Sequence, residues 1–423
     1  MSKALLSELD LSSDLEGLPE LEQIFMAIET RLPQHVLGVE RQEAIADLID
    51  ELNEHDREMV RERFNSFLVR MIEQNASDID VGGQGSLGQV WLRVYNDKRP
   101  ELSLGAYSLD QCNILALNII TPRQRQFLFQ NRNLDFSYAI VHQGHNIRFR
   151  GDLYFDLDNL ALNMRRISNK IWPFKDLAFH PIVARMLSLK YEKQGLILVT
   201  GITGSGKSTT LDSIIDANNR TVDAHIVIIA SPVECVHLSA RCLVRHREVG
   251  RDVMSFKEGA IQSLRQDPDI IMIGEMRDAE TIMTALEITD TGHKVFSTLH
   301  TGSAVETIDR IVAECPPREQ ERVRVRLADV LRVVICQKLV PSLDGKRVLA
   351  KEVLVVNPSV RAAIKNNNTG EIYQMISESG KEGMVTLEQD LRRLFTEKKV
   401  SMDEAINFAN NKKRMMELLD YSP

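Results

Sequence analysis

The sequence predicts an α/β protein in three parts: amino-terminal helices, a mixed α/β middle, and a parallel sheet with helices on both faces. Three observations predict this. From residue 195 onward, short apolar runs alternate with helical segments, the order that builds a covered parallel sheet. Residues 76–166 instead show period-two alternation and a hairpin signal. Residues 20–74 place apolar side chains three and four apart with acids between them, as amphipathic helices do.

Taken in order, ELEQIFMAIETRL and RQEAIADLIDELN read as helices punctuated by Pro33 and Gly38. VWLRVYN alternates like a half-buried strand, and FSYAIVHQGHNIRFRGDLYF reads as a hairpin with QGHN at its turn. WPFK, residues 172–175, reads as a linker, because Pro173 disfavours helix in the residue before it. GLILVTG, HIVIIA, DIIMIG and KVFSTLH are short apolar strands, and STTLDSIIDANN after the first is helical. Beyond residue 357, SVRAAIKNN, TLEQDLRRLFTEKK and SMDEAINFANNKKRMMELL read as helices. The expected divisions are an acidic helical extension over 1–70, a mixed domain over 71–170 and a sheet domain over 178–423.

Composition narrows the function classes. A length of 423 residues allows two or three domains, and 43% hydrophobic residues can fill sizeable cores. A net charge of −8 argues against a nucleic-acid binder working through bulk positive charge, and no clustered basic and aromatic residues mark a strand-binding groove. Residues 1–60 hold 15 Asp/Glu against 4 Lys/Arg; an acidic head on a near-neutral body reads as separate modules. Cys112, Cys235, Cys242, Cys315 and Cys336 form no CxxC pair. The expectation is buried thiols in a reducing compartment and no thiolate zinc site. MSKALLSELDLSSDLEG lacks the continuous apolar core of a signal peptide. LILV and IIMI fall far short of the roughly 20 residues a spanning helix needs. The expected location is cytoplasmic, with a membrane reached only through partners.

The chemistry is concentrated at GITGSGKST, residues 201–209. Gly201-x4-Gly206-Lys207-Ser208 is a phosphate loop between a strand and a helix. Its glycines permit positive φ and turn backbone N–H groups toward an anion, and the positive end of the following helix adds attraction. Thr203, Gly204, Ser205, Gly206 and Thr209 complete the cradle. Lys207 reaches the β and γ oxygens and the Ser208 hydroxyl ligates magnesium, so ATP and Mg2+ are the expected cofactors. In DPDIIMIGEMRD, Asp269 enters a strand and Glu275 leaves it. Ligands gather at the carboxyl ends of parallel strands, so Glu275 is expected near the phosphates, holding magnesium through water or orienting a nucleophile. KVFSTLHT ends on His300, with His293 just before it; a histidine at a strand's carboxyl end can hydrogen-bond the γ-phosphate. IVIIASPVE, residues 226–234, is where an acidic pair is expected beside the loop, and it has Ala230 and Ser231 instead.

The order GITGSGKST, SPVE, HREVGRD, SLRQDPDIIMIGEMRDAETI, TGHKVFSTLHT resembles the secretion-ATPase superfamily that drives type II secretion and type IV pili. GEMRD-x2-T, TGH-x-VF-x-TLHT, the DR at 309–310 and GMVTLEQDL at 383–391 are most similar to the PilT-type pilus retraction ATPases. The similarity is strong from about 195 to 395 and weaker back to about 75; residues 1–70 look additional. The resemblance implies a homohexameric ring of subunits, each with a PAS-like amino-terminal domain and a RecA-like ATPase domain. ATP then lies between the domains, whose rotation drives the work on an inner-membrane pilus or secretion platform protein.

The resemblance also implies roles. Residues 201–209 bind phosphate, 269–275 form the Walker B segment with Glu275, and His293 and His300 form a histidine motif. The family's Asp box usually reads EDPIE; here it is Ala230-Ser231-Pro232-Val233-Glu234, so Glu234 survives as the candidate base while two acids are lost. Arg148 and Arg150 in IRFRGD resemble the amino-terminal-domain arginines that approach nucleotide, and Arg247 and Arg277 are further candidates. Arg361 in SVRAAIK matches a segment tied to retraction. The family's extension ATPases usually carry a tetracysteine zinc motif, which this chain lacks. The expected function is a hexameric ATP-hydrolysing motor for pilus retraction at the cytoplasmic face of the inner membrane. A secretion-system ATPase and a weakly hydrolysing regulatory ring are the alternatives.

Overall fold

The computed structural model describes residues 18–95, 97–167 and 170–420, and the chain divides into two units, 1–168 and 169–423. In the first unit, helices α1 (Leu18–Glu29), α2 (Gly38–Glu51) and α3 (Glu54–Glu73) come first. Next are β1 (Asp78–Gly82), β2 (Trp91–Val94), β3 (Asp97–Pro100), α4 (Leu109–Asn118) and α5 (Pro122–Asn131). The unit ends with β4 (Asn133–His142), β5 (His145–Asp156) and β6 (Asn159–Arg166). The strands form one antiparallel sheet ordered β3-β2-β1-β6-β5-β4.

Local sequence explains the turns and caps. His142 pairs with His145, which leaves Gln143 and Gly144, both at positive φ, as the β4–β5 turn. That is the geometry whose twist matches two paired strands. The QGHN signal is therefore correct, tightened to its first two residues. Leu157 and Asp158 turn β5 into β6 in the same way. Ser108 with Gln111, and Thr121 with Gln124, make capping boxes that start α4 and α5.

The amino-terminal helices are not a separate module, which corrects the expectation drawn from charge. α3 buries Val60, Phe64, Phe67, Leu68 and Met71 in the same apolar cluster as Ile79, Leu92, Phe149 and Met164 of the sheet. Burying each such side chain stabilises the unit by roughly 1.5–3 kcal/mol. The buried Arg125 of α5 ties α2 down through the Ala46 carbonyl and the Asp50 carboxylate. Glu22, Glu40, Glu43, Asp47 and Glu51 sit on the exposed faces of α1 and α2. The acidity belongs to the outside of helices whose apolar stripes serve the common core.

The second unit holds β7 (Gly195–Thr200), β8 (His225–Ala230), β9 (Leu243–Glu248), β10 (Ile270–Ile273), β11 (Lys294–Leu299), β12 (Leu331–Pro341) and β13 (Arg347–Val355). They form one sheet ordered β13-β12-β7-β11-β10-β8-β9. Every neighbouring pair is parallel except β12 with β13. β7, β10 and β11 are buried along their whole length, as strands covered on both faces must be. Parallel neighbours need crossovers, and helices supply most of them: α6 (Pro181–Leu187) precedes the sheet, followed by α7 (Lys207–Thr221), α8 (Phe256–Ser263), α9 (Ala279–Asp290), α10 (Ala304–Ala313) and α11 (Gln320–Val330). Five short helices, α12 (Pro358–Lys365) to α16 (Lys412–Leu418), complete the helical carboxyl-terminal region. The sequence pattern identifies β7, β8, β10 and β11 but misses β9 and the β12–β13 hairpin.

All five cysteines are buried and none forms a disulfide. Burial pushes the thiols of Cys112 and Cys336 up to about 12. No described helix is long and apolar enough to cross a membrane.

Candidate nucleotide site

β7 ends at Thr200 and α7 begins at Lys207, so the phosphate loop is the whole connection between them. Gly201, Gly204 and Gly206 have φ of +146°, +79° and +88°, conformations that a side chain disfavours. A Cβ on Gly201 would stand 2.4 Å from the Gln337 carbonyl oxygen, so β12 closes the loop from one side. Gln337, fully buried on β12, also donates from Nε2 to the Ser205 carbonyl at 2.7 Å. Sequence reasoning missed this support, because its only signal is membership of an unrecognised strand.

Strand polarity gathers the rest. β7, β11, β10 and β8 run parallel and in register, so the residues after Thr200, Leu299, Ile273 and Ala230 emerge at one edge. Glu275 follows β10, with its backbone held on both sides: Gly274 N donates to the Ile229 carbonyl at 2.7 Å, and Met276 N to the Thr298 carbonyl at 3.1 Å. His300 follows β11 and stands between the two charges of the site. Its Nδ1 is 3.5 Å from Lys207 Nζ and its Nε2 is 3.8 Å from Glu275 Oε2. An ammonium facing Nδ1 favours the tautomer with its proton on Nε2, toward the carboxylate. Burial, then the Lys207 charge, lowers the His300 pKa, which favours that neutral ring. Lys207 Nζ also donates to the carbonyls of Gly201 (2.9 Å) and Ile202 (3.2 Å). Burial lowers its pKa, and the carboxylates of Glu275 and Glu234 oppose that shift.

Glu234 is exposed on the segment after β8, close enough for its charge to act on Lys207. That segment is anchored by Val233 N, which donates to the buried Glu248 carboxylate of β9 at 3.1 Å. Ser208 lies half-buried in the first turn of α7, while Thr203, Gly204 and Thr209 are exposed around the loop. The Ser208 hydroxyl and the Glu275 carboxylate are hard oxygen donors of the kind magnesium takes. Arg277 Nε pairs with Glu275 Oε2 at 2.7 Å, and Arg310 Nη1 donates to the His300 carbonyl at 3.2 Å. Arg247 bonds Gln262 instead.

Two expected residues lie elsewhere within the unit. His293 precedes β11, at the opposite edge of the sheet. A six-residue strand rising about 3.3 Å per residue puts it roughly 20 Å from His300. Its imidazole Nδ1 contacts Thr291 Oγ1 (3.0 Å) and the Ile288 carbonyl (3.2 Å), so within this chain it is not a phosphate ligand. Asp269, at the same far edge, accepts from His225 N at 2.8 Å and serves the scaffold. Arg148 and Arg150 belong to the first unit, on β5, where Arg150 pairs with Asp135 at 3.3 Å.

Comparison with known proteins agrees with this arrangement. The profile of the family described as Type II/IV secretion system protein matches residues 53–348, so α3 lies inside the matched region and α1 and α2 precede it. The type IV pilus retraction ATPase PilT of Pseudomonas aeruginosa is 38% identical over 79% of this chain and 94% of its own length. The type IV pilus ATPase PilU of the same organism is 30% identical over 82% and 89%. The crystal structure of the pilus retraction motor PilT with bound ADP gives a TM-score of 0.72 at 35% identity, covering 83% of this chain and 98% of that one. The ATPase DotB of Legionella pneumophila gives 0.64 at 26% identity, covering 81% and 93%. With a phosphate loop at the carboxyl edge of a largely parallel sheet and a profile match over most of its length, this chain belongs to the type II/IV secretion system protein family.

Proposed function

We propose that this chain is an ATP-hydrolysing motor that powers type IV pilus retraction, working as a homohexamer on a platform protein at the cytoplasmic face of the inner membrane. The observation that carries the reading is the Lys207–His300–Glu275 constellation beside a phosphate loop, in a chain 38% identical to a pilus retraction ATPase. The N–H groups of residues 203–209 bind the β-phosphate. Lys207 exchanges its loop carbonyls for phosphate oxygens, and Ser208 and Glu275 would hold magnesium. When bound, Mg2+ neutralises charge on the β and γ oxygens. Glu234 takes a proton from the attacking water as its oxygen bonds the γ-phosphorus and the bond to the ADP oxygen breaks. The single Nε2 proton of His300, which faces Glu275 in the absence of nucleotide, donates to the γ-phosphate instead, while Nδ1 still faces Lys207. Arg148 and Arg150 are the candidates for a guanidinium acting on a neighbouring subunit's nucleotide.

A second reading, a ring that binds ATP but turns it over poorly, is favoured by one observation: Ala230 and Ser231 stand where acids are expected. Steady-state Mg-ATPase activity of the wild type beside Glu234→Gln separates the two. The motor reading expects turnover that disappears in the variant while ATP binding persists. It also expects the wild type, and not Lys207→Ala, to restore twitching to a retraction-deficient strain. ATP binding without turnover in the wild type supports the regulatory ring.

A further inference from the structure

A second set of ligand-bearing side chains lies just behind the nucleotide site. Asp212 on α7, and Cys235 and His237 in the segment between β8 and β9, offer ligand atoms that all lie within 4.8 Å of one another. Cys235 and His237 are buried, and the His237 side chain is fully enclosed. His237 Nε2 is 3.0 Å from Asp212 Oδ1, and its Nδ1 is buried with no hydrogen-bond partner among the described residues. The backbone here is fixed from outside the cluster. His237 N donates to His246 Nε2 at 3.0 Å, and the two imidazoles stack with planes 5° apart.

We propose that Asp212, Cys235 and His237 form a binding site for a divalent transition metal of the zinc class. The metal ties the segment that carries Glu234 to the helix that carries Lys207 and Ser208. A thiolate, an imidazole and a carboxylate are zinc ligands, at about 2.0–2.3 Å from the ion. Tetrahedral geometry at those lengths sets ligand atoms about 3.3–3.7 Å apart, so small side-chain shifts convert the observed cluster into a coordination shell. The sulfur donor selects against magnesium and calcium, which take oxygen. On binding, the Cys235 thiol loses its proton to solvent, the imidazole stays neutral, and the Asp212 carboxylate is already an anion. Two negative ligands then cancel the dication, so the buried site carries no net charge. Asp212 is 17% exposed, which leaves a solvent side for water as the fourth ligand.

The sequence expectation of no thiolate zinc site rested on the missing CxxC. Here the ligands come from a Cys-x-His pair and a helix far away in sequence. Cys235 directly follows Glu234, and Asp212 lies just over one helical turn beyond Lys207. The segment between β8 and β9 has no helix or strand of its own, so a metal clip there positions Glu234 without touching substrate. The effect on turnover rests on the reading of Glu234 as base; the metal site itself does not.

The test is the metal content of the untagged full-length chain purified without chelator, followed by Co2+ titration of chelator-stripped protein. Zinc stoichiometric with chain, and a thiolate-to-cobalt charge-transfer band, are expected. Cys235→Ala should lose both, and Cys242→Ala, a buried cysteine outside the cluster, should keep both. Asp212→Asn, close in shape to the native residue, should weaken zinc binding by at least the roughly 10–100-fold that even an outer partner is worth. It decides the matter if Cys235→Ala does not fold. A wild type without zinc and without the cobalt band overturns the proposal, as does undiminished zinc in a folded Cys235→Ala or Asp212→Asn. Because metal content is read without ATP, failure of the motor reading leaves this outcome unaffected.

Discussion

The two edges of the seven-stranded sheet carry the same residue types and use them differently. At the carboxyl edge, Lys207, Glu275 and His300 face one another across less than 4 Å per step. At the amino edge, Lys294, Asp269 and His293 give their polar atoms to the backbone. Lys294 Nζ donates to the carbonyls of Met186 (2.6 Å) and Glu192 (3.0 Å), Asp269 accepts from His225 N, and His293 meets the Ile288 carbonyl. The reason is polarity. At the carboxyl edge helices begin, and their free N–H groups and positive ends await an anion. At the amino edge helices end, and their free carbonyls need donors. Met186 and Ile288 lie in the last turns of α6 and α9, and a buried lysine and a histidine answer them. Position along a parallel strand decides whether a polar residue serves a ligand or the scaffold.

The largest test of that comparison exchanges the two lysines. Lys207→Ala should lower ATP turnover by about 10²–10³ or more, the cost of losing a preorganised charge at the reacting phosphate, with the thermal midpoint little changed. Lys294→Met should do the reverse. It leaves two part-buried carbonyls without their donor, a loss of at most about 1–3 kcal/mol for each, partly offset by removal of a buried charge, while kcat stays within a few-fold of wild type. Steady-state kinetics and thermal melts on both variants suffice. A Lys294→Met protein that melts normally but is inactive would break the comparison.

The histidines sharpen it at smaller amplitude. His300→Ala should cost about 10–100-fold in kcat, as expected for a group that orients a carboxylate and a phosphate. His293→Ala should leave kcat within about twofold and lower stability by about 0.5–1.5 kcal/mol, the worth of its hydrogen bonds to the end of α9. Equal losses of kcat in the two variants would mean that the amino edge of one subunit takes part in chemistry.

How much of this was legible depends on how local each cause is. The phosphate loop was legible because each of its positions has its own physical requirement, and β7 and α7 flank it as they must. The apolar stripes of α1–α3 were legible too, but not their destination, because nothing in a helix names the sheet it covers. The displacement of His293 is legible as well. KVFSTL is a six-residue apolar strand, and residues that bracket such a strand must lie at opposite edges. Gln337 was not legible: it supports Ser205 from 132 residues away. Nor was β9, because only two of the side chains of LVRHRE are buried. The loss of acids at Ala230 and Ser231 is visible in the sequence, whereas the buried Glu248 that holds their segment is not, because it reaches Val233 from β9.

The last test pairs one buried group from each edge. Glu352 on β13 accepts from Ala304 N at 2.7 Å, at the first turn of α10 near the carboxyl edge, and burial raises its pKa to about 7. Lys294, at the amino edge, has its pKa lowered by burial to about 7. The signs are opposite. A carboxyl with a raised folded pKa contributes stability that is complete below its ordinary value of 4.5 and is lost as pH rises toward 7. A lysine with a depressed folded pKa contributes stability that is complete above 10.5 and is lost as pH falls toward 7. Together they predict a minimum in their joint contribution near neutral pH. Chemical denaturation from pH 5 to 9 should therefore lose its acid limb in Glu352→Gln and its alkaline limb in Lys294→Met. If both variants changed the same limb, the two edges would not be titrating as opposites, and the polarity argument would fail for buried charges even where it holds for the nucleotide site.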